Sequence, residues 1–274
     1  MRLIRLSFGI VTAFVLASLF LPIVFVFVNA FNADEELLGW GGFSMGAFSK
    51  VLGDARLRHA FVTSFSIALL ATAVSLVVAV TAGLWARHAS RGQGAALGFS
   101  VYSRLILPEV VLAVGLFALL RRFDLPLGQP AMVAGHAVFL SALATVVVQA
   151  RLRTMSDTLE QAASDLGATP LRAFLRVTLP QLMPALLAGG LLVMTFSLDD
   201  LLLSQFLAGS NAETVPMMLL GLIRFKITPE ANAIGALMML ITVAILATAV
   251  ATVGLRGGVL SAITGSDQAE GDQE

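Results

Sequence analysis

The chain has no cysteine, only three histidines, one tyrosine and two tryptophans, and charged residues fill just 12% of its 274 positions. The missing cysteine excludes disulfides and thiolate metal sites, and three scattered histidines supply no cluster of metal ligands. So small a charged fraction is about half the roughly 25% of soluble proteins. Together with a hydrophobic content of 58%, it points to an all-α integral membrane protein in contact with the lipid bilayer. Basic and acidic residues balance at 17 each, so no global field favours nucleic acid. No G-x-x-x-x-G-K-S/T phosphate loop occurs, so the chain is not expected to be an enzyme or to bind a nucleotide or other cofactor. The longest polar stretch, residues 151–183, falls short of the roughly 40 residues at which small domains begin to fold alone.

What the chain does have is a series of long uncharged runs. Phe8 to Phe31 follows Arg2 and Arg5; it exceeds the apolar core of a signal peptide, and Phe31 spoils the small-residue cleavage pattern, so a retained first helix is expected. The six expected membrane helices lie at about 8–31, 60–86, 105–120, 131–150, 184–207 and 231–255, each near the length that crosses a hydrocarbon core of about 30 Å. The third is interrupted by Pro108-Glu109, and Tyr102 and Arg104 suit the interface before it. Val215 to Phe225 is apolar but too short to span, and suits a helix at the outer face. Six spans put both termini on one side. That side collects Arg2, Arg5, Arg87, Arg91, Arg104, Arg151, Arg153, Arg172, Arg176 and Arg256, the larger share of the Lys and Arg, which predicts cytoplasmic termini. The tail, 256–274, has too little apolar content to order itself.

Arg151 to Met183 is a polar island interrupted by Gly167 and Pro170. It predicts two short helices, the first ended by Gly167 as a C-terminal cap, the second, Leu171 to Val177, closed or kinked by Pro180 and Pro184. Within it Gln161-Ala162-Ala163, then Gly167, then Val177, Leu179 and Pro180 resembles the EAA signature of binding-protein-dependent ABC importer permeases, with Gln161 in place of the usual Glu and Glu160 one residue early. Ser197-Leu198-Asp199-Asp200, Phe31-Asn32, the Gly39 to Phe48 loop, Pro108-Glu109 and Thr228 to Ala233 resemble landmarks of the polyamine branch of that family. The resemblance implies a core of the last five helices plus one added N-terminal helix, and a cytoplasmic coupling loop at 151–183 with Glu160, Gln161, Ala162, Ala163, Gly167, Leu179 and Pro180 as its contact residues. It also implies a second homologous permease subunit, an ATP-binding cassette ATPase dimer that hydrolyses ATP, and a periplasmic solute-binding protein, at a bacterial inner membrane.

Carboxylates inside a membrane cost on the order of 2.5 to 3.5 kcal/mol each on insertion scales, so Glu109, Asp199 and Asp200 are the candidate substrate path. With the fifth helix starting at Pro184, Asp199 would lie about 23 Å along it, in the outer half of the core. Adjacent helical residues point about 100° apart, which predicts that only one Asp faces the path while the other binds a neighbouring helix or a free backbone N–H. His136 is expected to be a hydrogen-bonded packing residue, and Gly189-Gly190 with Ala185 and Ala188 a close helix contact. These readings favour import of a small cationic solute such as putrescine or spermidine. Import of an amino-acid derivative, an opine or a ferric ion, or a proton-coupled secondary transporter built on the Asp pair, are the alternatives.

Overall fold

The computed structural model describes residues 2–210 and 212–257, so the expected tail at 256–274 lies almost wholly outside the described residues. Among the described residues every regular element is helical, with one isolated antiparallel bridge between Asn32 and Phe43. In order these are α1 (Arg2–Asn29), α2 (Gly46–Gly53), α3 (Ala55–His88), α4 (Arg91–Ile106), α5 (Glu109–Arg122), α6 (Gln129–Thr154), α7 (Thr158–Asp165), α8 (Pro170–Ala173) with a π-helical turn Phe174–Thr178, α9 (Leu179–Asp199), α10 (Leu202–Leu207), α11 (Val215–Ile223) and α12 (Pro229–Gly257). Five helical stretches are long and apolar enough to cross a membrane, and the bent pair α4 and α5 brings the number to six when the pair is counted as one span.

The chain packs as two compact units, Met1–Val62 with Glu213–Thr242, and Thr63–Ala212 with Val243–Glu274. In the first, α1 carries the most apolar stretch, Ser7–Asn29 at mean hydropathy 2.7, and buries none of it within the chain, which leaves Phe8, Phe14 and Leu21 for lipid. The core gathers Ala30, Phe48, Val51, Leu57, Val215 and Ile234. Asn32 organises the loop after α1: its amide donates to the Gly39 carbonyl at 2.7 Å, and its Oδ1 accepts from the Asp34 and Gly41 amides. Asp34 in turn accepts from the amides of Glu36 and Gly39. Lys50 is held by Glu35 and Glu230 at 2.7 and 2.9 Å, Arg56 by Glu213 and Lys226 by Glu36.

In the second unit α6 packs along α9 and α4, and α5 along α10. Glycine permits the closest approaches: a Cβ on Gly135 would stand 2.4 Å from Leu207 Cδ1, and one on Gly190 3.1 Å from Leu76 Cδ1. Ala79, Leu140, Ala144, Val148, Leu182 and Val193 form the core between these helices.

Three expectations are corrected here. The third span does not begin near residue 105. α4 already starts at Arg91, capped by reciprocal bonds between Ser90 and Gln93, and the span breaks at Leu107-Pro108 with a bend of 107°. The residue before a proline avoids the helical region, and Leu107 accordingly sits at ψ 135°. The Arg104 guanidinium donates to the Val138 carbonyl at 2.9 Å and to Ser141 Oγ at 3.1 Å, which ties α4 to α6.

The second correction concerns Pro180 and Pro184, which do not close the second loop helix. Helix runs unbroken from Pro170 to Asp199, 30 residues or about 45 Å, longer than a bilayer core by about 15 Å. The turn at Phe174–Thr178 widens to the π form just before Pro180, whose ring has no N–H to give and would crowd an ordinary turn. The Gln181 side chain then donates to the Val177 carbonyl. Third, the fifth span ends at Asp199 instead of running on to residue 207; Asp200 is extended at ψ 126° and α10 is a separate short helix.

Candidate functional site

Two polar clusters lie within the second unit, both built against α6. The first joins the carboxylates. Because the helix stops at Asp199, the 100° rule no longer separates the pair, and Asp199 and Asp200 line one cavity of about 320 Å³ together with Glu109, His136, Phe139 and Phe196. Both residues thus border one cavity, which the 100° separation does not foresee, while Asp200 binds His136 of the neighbouring α6 and the free Ser204 N–H, as expected for one member of the pair. Glu109 reaches the cavity because the Pro108 break starts α5 there, and α5 then packs on α10, with Phe117 against Phe206. Asp199 is the more exposed of the pair.

Asp200 is fixed from two directions. His136 Nε2 stands 3.2 Å from its Oδ1, with side-chain exposures of 1% for the histidine and 6% for the aspartate. The same oxygen accepts the Ser204 amide at 2.9 Å, which satisfies a donor in the first turn of α10. The other imidazole nitrogen, Nδ1, lies 2.7 Å from Ser197 Oγ, and Ser204 Oγ is 3.3 Å from Nε2. With Nε2–H given to the carboxylate, Nδ1 accepts the Ser197 hydroxyl, and every polar atom of the imidazole is used. His136 is hydrogen-bonded, as expected. Its pairing with an aspartate 64 positions along the chain has no local signal in the sequence.

The second cluster ties down the polar island. Arg87, at the end of α3, pairs with Asp157 and Glu160 at 3.1 Å each and approaches the Leu152 carbonyl at 3.4 Å. Glu160 also accepts the Thr178 hydroxyl. Glu160, not Gln161, is thus the residue that fastens α7; Gln161 and Ala162 are exposed and Ala163 is half-buried. Gly167 ends α7 at φ +80°, with its amide on Ser164 O and the Ala168 amide on Ala163 O, the paired bonds of a left-handed cap. Nothing lies within 4 Å of the Cβ it lacks, so backbone conformation alone calls for glycine. Thr169 caps α8 and Pro170 takes its first position. Leu179 is half-buried and Pro180 exposed at the start of α9. Leu159, Leu166, Leu171 and Leu175 stand out from this region, Leu166 at 89% exposure.

A bundle of membrane-length helices that keeps carboxylates and an imidazole in its interior, instead of confining charge to its ends, has the character of a helical membrane transport protein. Residues 75–256 match the family described as binding-protein-dependent transport system inner membrane component, and the chain belongs to that family. It is 32% identical over 228 residues to the putrescine transport system permease protein PotI of Escherichia coli (strain K12), covering 81% of each chain. To the spermidine/putrescine transport system permease protein PotC of Haemophilus influenzae it is 32% identical over 232 residues, covering 84% of this chain and 90% of that one. In fold it resembles a chain of a bacterial ABC transporter involved in the import of the acidic polysaccharide alginate, with TM-score 0.65, 16% identity and coverage of 95% and 96%. It also resembles one from the MetNI methionine ABC transporter in inward-facing conformations, with TM-score 0.59, 15% identity and coverage of 74% and 98%. The all-α, multi-span reading of the sequence agrees with both.

Proposed function

We propose that this chain is the permease subunit of an ABC importer for a small polyamine, putrescine or spermidine, and that the cavity of Glu109, Asp199 and Asp200 is a station on the solute's path. The observation that carries the reading is the meeting of three carboxyl groups in one cavity within the apolar part of the molecule. Like charges brought together in a poor solvent for ions are relieved by a cation placed between them. A diamine carries ammonium groups that need such compensation once water is stripped away, and binding that is shared among several weak sites still permits release. The relatives named for putrescine and spermidine transport favour the same solute.

In this reading Arg87, Asp157, Glu160 and Thr178 hold α7 as a rigid plug, and Ala162, Ala163 and Gly167 with the exposed leucines seat it on an ATPase dimer at the cytoplasmic face. A second homologous permease completes the path and a periplasmic binding protein delivers the solute; both termini are cytoplasmic. The test is reconstitution with the products of the neighbouring genes. Loaded binding protein should stimulate ATP hydrolysis and drive labelled putrescine or spermidine into proteoliposomes. Stimulation by a binding protein loaded only with an amino-acid derivative, an opine or ferric ion would overturn the polyamine assignment.

A further inference from the structure

The loop between α1 and α2 ends in a run without a charge, Leu37 to Met45. Leu38, Trp40, Phe43 and Met45 in it are each more than half exposed, Leu38 at 85%. So much apolar surface held in the open marks a place that something else covers. The backbone holds it there and fixes its position along α1. Asn32, three positions past the helix, binds the Gly39 carbonyl and the Gly41 amide, and a Cβ on Gly41 would stand only 2.7 Å from the Asp34 nitrogen. The Ala33 amide donates to the Gly42 carbonyl at 2.9 Å and the Ser44 amide to the Phe31 carbonyl at 2.8 Å, with Gly42 turning at φ +105° between them. An unbroken line of rings then runs from the last turn of α1 into the loop: Phe27 meets Phe31 edge-on at 5.6 Å between centroids, and Phe31 stacks on Phe43 at 5.3 Å. The apolar stretch of α1, Ser7–Asn29, has 23 residues, about 35 Å of helix, enough to cross a hydrocarbon core of about 30 Å and leave it near Asn29. Phe43 and the turn it closes are therefore held where the hydrocarbon ends. The acids of the other limb point to cations of this chain, Glu35 to Lys50 and Glu36 to Lys226.

We propose that this uncharged tip, with Leu38, Trp40, Phe43 and Met45, is seated in the lipid bilayer at the boundary between headgroups and acyl chains, beside the end of α1. Continuity with the lipid-facing surface of α1 names the occupant. Phe25, Phe27 and Val28 are exposed up to the last turn of that helix, and the stacked rings carry the same apolar surface into the tip. Tryptophan suits this level, because its ring is apolar over most of its area and keeps one polar N–H for the headgroups. The tip offers a partner protein no charge with which to set register. It also meets a need of this chain: α1 buries none of Ser7–Asn29 against other helices of the chain, and an anchor at its end supplies the depth and tilt that such packing would otherwise set.

Because the chain has no cysteine, Leu38→Cys, Met45→Cys, Glu35→Cys and Phe14→Cys can each place one nitroxide in the assembled transporter, with the unsubstituted complex as background. In dioleoylphosphatidylcholine nanodiscs, open on both faces, electron paramagnetic resonance compares collisions of the label with oxygen, which concentrates in lipid, and with a water-soluble nickel chelate. The Leu38→Cys and Met45→Cys labels should show an oxygen-to-nickel ratio several-fold above that of Glu35→Cys and approaching that of Phe14→Cys on the lipid face of α1. Adding Trp40→Ser and Phe43→Ser should bring the Leu38→Cys ratio down toward that of Glu35→Cys. Tip labels as open to nickel as Glu35→Cys would overturn the proposal, as would a Leu38→Cys ratio unmoved by loss of both rings. Protection that appears only when solute-binding protein is added would overturn it too, and would assign the tip to a protein partner.

Discussion

Along α6 the same unit solves the problem of charge twice, and in opposite ways. At the Leu152 end, Arg87 is held by Asp157 and Glu160, whose side chains remain 69% and 33% exposed. Sixteen residues earlier, about 24 Å along the helix axis, His136 and Asp200 are closed off almost completely. A half-exposed ion pair is screened and adds little stability, typically 0 to 1 kcal/mol. Under the proposed function it fastens α7 as the plug that meets the ATPase. A buried contact of this kind rarely stabilises more than apolar packing of the same volume would; under the proposed function it is kept because it borders the solute's path.

The largest effect should come from breaking the buried cluster on one side only. His136→Ala leaves the buried Asp200 carboxyl without its imidazole hydrogen-bond donor, at a cost of about 1.5 to 3 kcal/mol, and should lower the thermal midpoint in detergent more than any other single change discussed. Adding Asp200→Asn should restore much of it, and a pair of effects that simply add would show the two residues to be uncoupled. Next in size is Arg87→Ala. It removes two half-screened ion pairs and should lower stability by about 1 kcal/mol, yet sharply reduce ATP hydrolysis stimulated by loaded binding protein while the complex still assembles. A drop in assembly matching the drop in stimulation would make Arg87 a folding residue only. Gly167→Ala should cost about 1 kcal/mol through its positive φ; because the space around it is open, Gly167→Asn should cost clearly less, and equal losses would mean that contact, not conformation, sets the requirement. Smallest is a pH effect in the loop after α1. The Glu36 and Gly39 amides hold the Asp34 carboxyl below its ordinary range. The stability this gives is present above the unfolded carboxylate range and lost as pH falls through the lowered folded value. Asp34→Asn should therefore flatten the acid limb of loop protection in hydrogen exchange and leave both α6 clusters unchanged.

The spans, the polar island and the three carboxylates could be read from the sequence because each is a local matter of charge density and spacing. Gly167 could be read as a cap for the same reason. The clusters themselves could not. Arg87 and Glu160 lie 73 positions apart, His136 and Asp200 64, and no periodicity links them. Prolines misled in both directions: Pro108 bends its span far more than an interruption suggests, while Pro180 and Pro184 are absorbed into a continuous helix by the π turn before them. A rule of helix geometry separated Asp199 from Asp200, and the helix simply ends between them.

The division of labour between the two clusters is tested most directly by solute moved per ATP hydrolysed in proteoliposomes bearing Asp200→Asn, with assembled complex quantified in the same samples. A path role predicts uptake lowered at least about ten-fold, the loss that removal of one buried charge contact worth about 1.4 kcal/mol or more would bring, while stimulated hydrolysis stays near wild type, so the ratio collapses. Glu160→Gln should instead lower hydrolysis and uptake together and leave the ratio intact. An Asp200→Asn complex that assembles normally and transports at the wild-type ratio would contradict the assignment of the buried carboxylates to the solute's path.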